Sequence, residues 1–252
     1  MRFVRTMTTQ APRSQVTMDN IVPYFQPIMD LETERACRYE CLARLVTSDD
    51  RTFLPSQFLQ VLERESNVQQ LAARMFLQSA RYFQSLTMPW NINLGEYDLT
   101  DAGLLEQFID ILSDYPTPDR VSVEISAKDA LRHPDAVDTF IERALPHGLG
   151  VFIDNVGTPP GNIKRLLALP VRGIKLAGGL IHHYDKEPEV KEFVDNLIEQ
   201  GTMRSISIIA EHIENPQLLS RVKKLPIRYA QGFVFSRPRP VTLSDTQRSA
   251  AP

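Results

Sequence analysis

Between residues 20 and 240 the chain alternates short apolar runs with longer amphipathic stretches. The short runs are VPYFQPI (22–28), CRYECLA (37–43), PWNINL (89–94), RVSVEI (120–125), LGVFID (149–154), VRGIKL (171–176), SISIIAE (205–211) and RYAQGFVF (228–235). They are rich in Val, Ile, Phe and Tyr and mostly flanked by turn residues, which predicts strands. The stretches 55–65, 69–86, 102–113, 136–145, 162–169, 189–200 and 216–225 predict helices. Leu104, Leu105, Phe108, Ile109 and Leu112 show the helical spacing plainly. Pro55, Thr100, Pro160 and Asn215 mark plausible helix starts.

MDLETERA, which joins the first two runs, is too short for a helical crossover, so those runs predict an antiparallel hairpin. The other runs are mostly separated by helices, which predicts βα units and a parallel sheet. VFID and IIA lack polar alternation, as strands covered on both faces do. The fold class is therefore α/β, with a TIM-like (β/α)8 barrel first and an open doubly wound sheet second. No GxGxxG or GxxxxGK[ST] string follows a strand, so the usual nucleotide fingerprints are absent.

The length of 252 residues suits one such barrel. Apolar residues at 42% and charged residues at 23% argue against wholesale disorder. A net charge of −3 argues against a surface built to grip DNA or RNA. Only Cys37 and Cys41 occur, too few for a disulfide framework, which predicts a reducing, cytoplasmic setting. No apolar run is long enough to span a membrane, and residues 1–20 do not read as a signal peptide. The expected organisation is a disordered leader over 1–20, a barrel over 21–240 and a disordered tail over 241–252. No attached sensory module is legible.

Polar residues interrupt the apolar runs at matching places. Glu40 lies in the second run, Asn93 late in the third and Glu124 late in the fourth. Asp154 ends the fifth, Lys175 is late in the sixth, Glu211 ends the seventh and Gln231 lies inside the eighth. An unpaired buried charge costs several kcal/mol or more, so such residues need partners. In a parallel barrel the carboxyl ends of the strands converge on one mouth, where chemistry is done. Crowded carboxylates repel unless protonated or metal-bound. An oxygen-rich set without His or Cys suits Mg²⁺ or Mn²⁺ and points to phosphate-ester chemistry. Separate core salt bridges are the plainer alternative.

At these residues the chain resembles the EAL-domain family, bacterial phosphodiesterases of cyclic di-GMP, from about Val22 to Pro240. YFQPI (24–28) looks like the family's YQPI, ECLAR (40–44) like E-A-L-x-R, NLG (93–95) like N-x-S and VEISAK (123–128) like E-x-T-E-S. DNVGTP (154–159) is similar to D-D-F-G-T-G, IKLA (174–177) to K-I-D, AEHIEN (210–215) to A-E-G-V-E-T and QGFVFSRP (231–238) to Q-G-Y-x-F-x-x-P. The resemblance implies a near-TIM barrel with one antiparallel strand. It implies a first metal, Mg or Mn, on Glu40, Asn93, Glu124 and Asp154. A second metal would be shared by Asp154 and the position of Asn155. Lys175, Glu211 and Gln231 would help hold that second metal, the water and the phosphate, while Arg44 and Leu42 would contact the nucleotide. The implied reaction opens one phosphodiester bond to give pGpG.

The chain departs from the active pattern at Asn155, Ala127, Val156, Pro159, Ala177, Gly95 and Cys41. Asn155 replaces a charged ligand by a neutral amide, and Ala127 replaces a glutamate that steadies the loop in the family. The leading expectation is a regulator that binds cyclic di-GMP with weak or absent hydrolysis and signals to a protein partner. The alternatives are a slow phosphodiesterase and an interaction module that has lost the nucleotide. A homodimer is a further expectation from the resemblance. His182 and His183 read as a solvated loop, and His212 as space-filling or as reaching a phosphate. Trp90 reads as packing, and Ser126 has no nearby triad pattern.

Overall fold

A computed structural model describes residues 10–64, 69–157 and 162–240. The chain runs β1 (Ile21–Asp30), β2 (Arg35–Val46), β3 (Thr52–Phe53), α1 (Pro55–Arg64), α2 (Gln69–Phe83), β4 (Trp90–Leu94), α3 (Glu96–Thr100) and α4 (Ala102–Ser113). It continues through β5 (Val121–Ser126), α5 (Ala127–Arg132), α6 (Pro134–Ala144), β6 (Gly150–Val156), α7 (Ile163–Ala168), β7 (Gly173–Leu176) and α8 (Gly178–His183). The last elements are α9 (Pro188–Met203), β8 (Ser207–Ala210), α10 (Pro216–Val222) and β9 (Tyr229–Ala230).

The sheet order is β1-β9-β8-β7-β6-β5-β4-β2-β3, and β1 also pairs with β2, so eight strands close into a barrel with β3 outside it. β1 is antiparallel to both of its barrel neighbours, and every other barrel pairing is parallel. The predicted hairpin is therefore the place where the barrel reverses one strand, and the open sheet is excluded. Asp30 shapes the hairpin turn by accepting from the Glu32 amide at 3.0 Å, and Arg228 anchors Asp30 at 2.7 Å.

Strand alternation separates two cores. Residues facing outward, such as Ile92, Val123, Ile125, Val151, Ile153 and Ile174, pack under the helices against Phe58, Phe76, Phe108, Val137 and Leu197. Trp90 belongs to this layer; it is fully buried, faces Phe76 at 5.2 Å and donates to the Tyr115 hydroxyl at 3.0 Å. Inside the barrel lies a separate small apolar plug of Ile28, Phe152 and Ile209. The period-2 side-chain rule places the cluster residues one step further along the same inward faces.

Three short helices, α3, α5 and α8, follow barrel strands and escape the sequence pattern. With five or six residues each, they are too short to show two turns of apolar periodicity. Local caps make them: Ser126 Oγ accepts from the Asp129 amide at 3.0 Å, and Asp98 accepts from the Gly95 amide at 2.7 Å. The eighth run shrinks to two strand residues, because Gln231 onward turns over the barrel rim. The leader expected to be disordered through residue 20 is ordered in its second half. Residues 13–15 and 18–20 form 3₁₀ turns, Ala11 and Val16 are buried, and the Ala11 amide bonds the Gln57 carbonyl at 3.1 Å. These contacts are long-range, so no local pattern announces them. Residues 1–9, the tail 241–252, Pro159 and the helix start at Pro160 lie outside the described residues.

Candidate functional site

The inward residues at the carboxyl ends of the strands meet around one ammonium group. Lys175, on β7 and 1% exposed, lies 2.7 Å from Glu124, 2.8 Å from Glu211, 3.0 Å from Glu40 and 3.7 Å from Asp154. Strand register explains the gathering. Asn93 pairs with Glu124 across β4 and β5, and Gln26 pairs with Glu40 across the hairpin. Asn93 donates to Glu40 Oε1 at 2.6 Å, and Gln231 donates to Glu40 Oε2 at 2.7 Å and to Gln26 at 3.2 Å. All seven polar positions singled out from the sequence are brought together.

Two further members were not singled out. Asn91, completely buried, donates to Glu124 Oε1. It stands two residues before Asn93 on the same strand face, so the period-2 rule could have found it. Gln26 is buried on β1 and donates to the Ser236 carbonyl at 3.0 Å, which ties the rim to the barrel. Its signal was a lone amide in an apolar run.

The electrostatics divide the carboxylates. Burial pushes Glu40 up, but the Lys175 charge and the Asn93 and Gln231 amides outweigh it and hold this carboxyl below its ordinary value. Burial pushes Glu124 well up, helped by the Glu40 charge. Burial also pushes Glu211 up, to about 8, with Lys175 opposing and Asp154 and Glu40 adding. Burial works against the Lys175 ammonium, yet the surrounding carboxylates more than offset it and hold the group well above its ordinary value. A proton on Glu211 at neutral pH thus relieves the crowding that unpaired carboxylates would suffer.

Above the cluster opens a cleft of about 390 Å³. Leu42, Arg44, Leu54, Asn155, His212, Glu214 and Phe233 line it together with the cluster residues Gln26, Glu40, Asn93, Asp154, Glu211 and Gln231. Arg44 is largely buried and donates to the Ala43 carbonyl at 2.7 Å. Asn155 donates to Asp154 Oδ2 at 2.9 Å from a left-handed backbone, with φ at 55°. The β6–β7 pairing shifts register across this point. Gly232 is required where it stands, since a Cβ there would lie 2.5 Å from the Ile213 carbonyl carbon. His182 and His183 lie on α8 rather than a loop. They contact Lys186 at 3.2 Å and Glu187 at 2.6 Å and do not line the cleft.

Among the described residues no three His, Cys, Asp or Glu side chains form a ready metal-binding group. Glu40, Glu124 and Glu211 point at Lys175. Their chemistry is nevertheless that of a hard-cation site, with oxygen donors throughout. Asp154 Oδ1, Glu211 Oε2 and Gln231 Oε1 are buried without a hydrogen-bond partner, a costly state that a cation or a water relieves.

Barrel, reversed strand and oxygen-lined mouth agree with the profile of the EAL domain, which matches residues 9–238. The chain belongs to the EAL-domain family. It is 26% identical, over 86% of its length and 57% of the relative's, to the cyclic di-GMP phosphodiesterase RocR of Pseudomonas aeruginosa. It is 23% identical to the bifunctional diguanylate cyclase/cyclic di-GMP phosphodiesterase MucR of the same species, over 90% of this chain and 34% of that one. The signalling protein YkoW of Bacillus subtilis is 24% identical, and the chain spans 29% of its length. Among solved structures, the MucR phosphodiesterase of Pseudomonas aeruginosa in complex with c-di-GMP superposes with a TM-score of 0.81 at 22% identity, covering 91% of this chain and 96% of that one. The FimX EAL domain from the same species, bound to c-di-GMP, gives 0.79 at 20% identity, covering 88% and 91%. Among the described residues no helix is long and apolar enough to cross a membrane.

Proposed function

We propose that this chain binds cyclic di-GMP in the mouth above Lys175, hydrolyses it weakly or not at all, and acts as a regulator in the cytoplasm through a protein partner. The carrying observation is the asymmetry around Asp154. The inner set of Glu40, Asn93, Glu124 and Asp154 is retained, whereas the neighbouring position holds a neutral amide that already bonds Asp154. An aspartate at 155 would put a second negative charge beside Asp154, which a second cation would have to neutralise. Asn155 instead bonds Asp154 Oδ2 and adds no charge, so the drive to recruit the second ion falls. Ala127, buried at the start of α5, has no carboxylate with which to brace the loop after β6.

Glu40, Asn93, Glu124 and Asp154 would hold Mg or Mn. When bound, the ion supplies a Lewis acid for the phosphodiester. The chain's own groups then do the rest. Lys175 keeps the carboxylates in one place, Arg44 faces the ligand's negative charge, and Leu42 gives an apolar wall. Glu211 holds a proton at the rim, and Gln231 fixes Glu40. A slow phosphodiesterase is the second reading, favoured by the complete inner set and by the Asn155 side chain, whose oxygen is also a cation donor.

The test is calorimetric titration of cyclic di-GMP with Mg²⁺ or Mn²⁺, followed by chromatography of the reaction for pGpG. Binding without product supports the regulator. Product that disappears in Glu40→Ala supports the slow enzyme. No heat at any concentration overturns both. Asn155→Asp combined with Ala127→Glu is expected to raise turnover by at least tenfold, about 1.4 kcal/mol of barrier; unchanged turnover would count against the asymmetry argument.

A further inference from the structure

His212 stands directly after Glu211, where β8 gives way to the rim, and its side chain is exposed and lines the cleft. Its backbone is left-handed, with φ at 55°. L-residues with a Cβ resist this region, and His enters it mostly as a single residue in a turn. The surroundings accommodate it: a Cβ on Gly178 would lie 2.5 Å from the His212 Cβ, so the start of α8 is bare where the imidazole stem passes. The ring makes no hydrogen bond or ion pair with any described residue. A strained, exposed and unpartnered imidazole over a polar cluster has no stabilising role in the fold that the structure displays.

The chemistry of the rim says what such a ring is for. The cleft is lined by Glu40, Asp154, Glu211 and Glu214, with Arg44 as the only cation among its lining residues. An anionic ligand entering there meets carboxylates, so each N–H donor at the rim counts. In the barrel order Arg44, on β2, and His212, after β8, are separated by β1 and β9. They therefore reach the cleft from different sides. We propose that His212 is a ligand-binding residue, donating a ring N–H to a phosphodiester oxygen on the side of the mouth away from Arg44. This rests on the reading that the mouth takes a cyclic dinucleotide, a ligand with two phosphodiesters. Gly178 is the positioning residue that lets the ring lie there.

The test compares cyclic di-GMP affinity by calorimetry, in chelator and in Mg²⁺, with thermal unfolding of the same unliganded proteins. His212→Gly removes both the donor and the strain. It is expected to raise the midpoint of unfolding by a few degrees while weakening the nucleotide about tenfold, as loss of one hydrogen bond to a charged group does. His212→Asn keeps an N–H donor on a residue that tolerates the left-handed region, and is expected to recover part of the affinity. Gly178→Ala leaves the imidazole in the protein but displaces it, and is expected to weaken binding as His212→Gly does. A merely structural His212 would change the midpoint and leave the affinity alone, and that result overturns the inference while the cyclic di-GMP reading stands. Failure of the unaltered protein to bind cyclic di-GMP overturns both.

Discussion

The two ends of the barrel lumen use the same strands and opposite chemistry. At the amino-terminal floor, Arg38 and Arg172 converge on Ser122 Oγ at 3.3 Å and 3.2 Å. Their remaining bonds go to backbone carbonyls, Trp90 at 3.3 Å for Arg38, and Val121 at 3.2 Å and Gly148 at 2.8 Å for Arg172. Arg38 also lies over the Phe152 ring, 4.8 Å from its centre. Burial, with Arg172 adding, pulls Arg38 down to about 10. At the floor, two guanidinium groups thus serve one hydroxyl and a set of backbone carbonyls. At the mouth, two strand positions away, the balance is left open. One ammonium serves several carboxylates, and buried oxygens of Asp154, Glu211 and Gln231 have no hydrogen-bond partner among the described residues. Polar groups bonded to the backbone hold the strands together, whereas unpaired buried oxygens favour uptake of a cation, a water or a ligand.

Removing the centre of the mouth should therefore hurt most. Lys175→Met strands several buried carboxylates without a cation and is expected to destabilise by about 3–5 kcal/mol, read by urea unfolding at neutral pH. A loss under about 1 kcal/mol would mean that the carboxylates are already neutral. At the floor, Arg172→Met is expected to cost about 2 kcal/mol through the stranded carbonyls. It should leave cyclic di-GMP affinity unchanged, and a large fall in affinity would break the contrast between structural floor and functional mouth.

The subtlest difference lies in pH. Glu211 is raised in the folded chain from 4.5 to about 8, so the folded state binds its proton more tightly than the unfolded state does. Its contribution is fully present below about pH 4.5 and fades as pH rises towards 8. Glu40, lowered in the folded chain, acts in the opposite sense and loses its contribution as pH falls below its ordinary range. Between those limits the stability attributable to Glu211 should fall by up to about 1.4 kcal/mol per pH unit. Glu211→Gln should flatten that slope in a pH series of denaturation curves. An unchanged slope would move the proton to Glu124.

Much of this is legible in the residues themselves. VFID and IIA mark covered strands, MDLETERA is too short for anything but a hairpin, and each cluster residue interrupts an apolar run near its end. Asn155 and Ala127 are visible as departures from the resemblance without any coordinates. The short helices after β4, β5 and β7 are not visible, because fewer than two turns show no clear periodicity. Nor is the ordering of residues 10–20, which depends on Ala11 meeting Gln57.

Local pattern and strand alternation thus specify which residues face inward and that they share one rim, because side-chain direction is set by neighbours along the chain. They say nothing about who bonds whom across the lumen. That Lys175 fills the middle of the carboxylates, that Asn91 bonds Glu124 and that Gln231 bonds Glu40 all depend on barrel closure. Closure sets distances between residues 191 positions apart, as for Gln231 and Glu40. Such distances, steep in their effect on charge, exist only once the chain has returned upon itself.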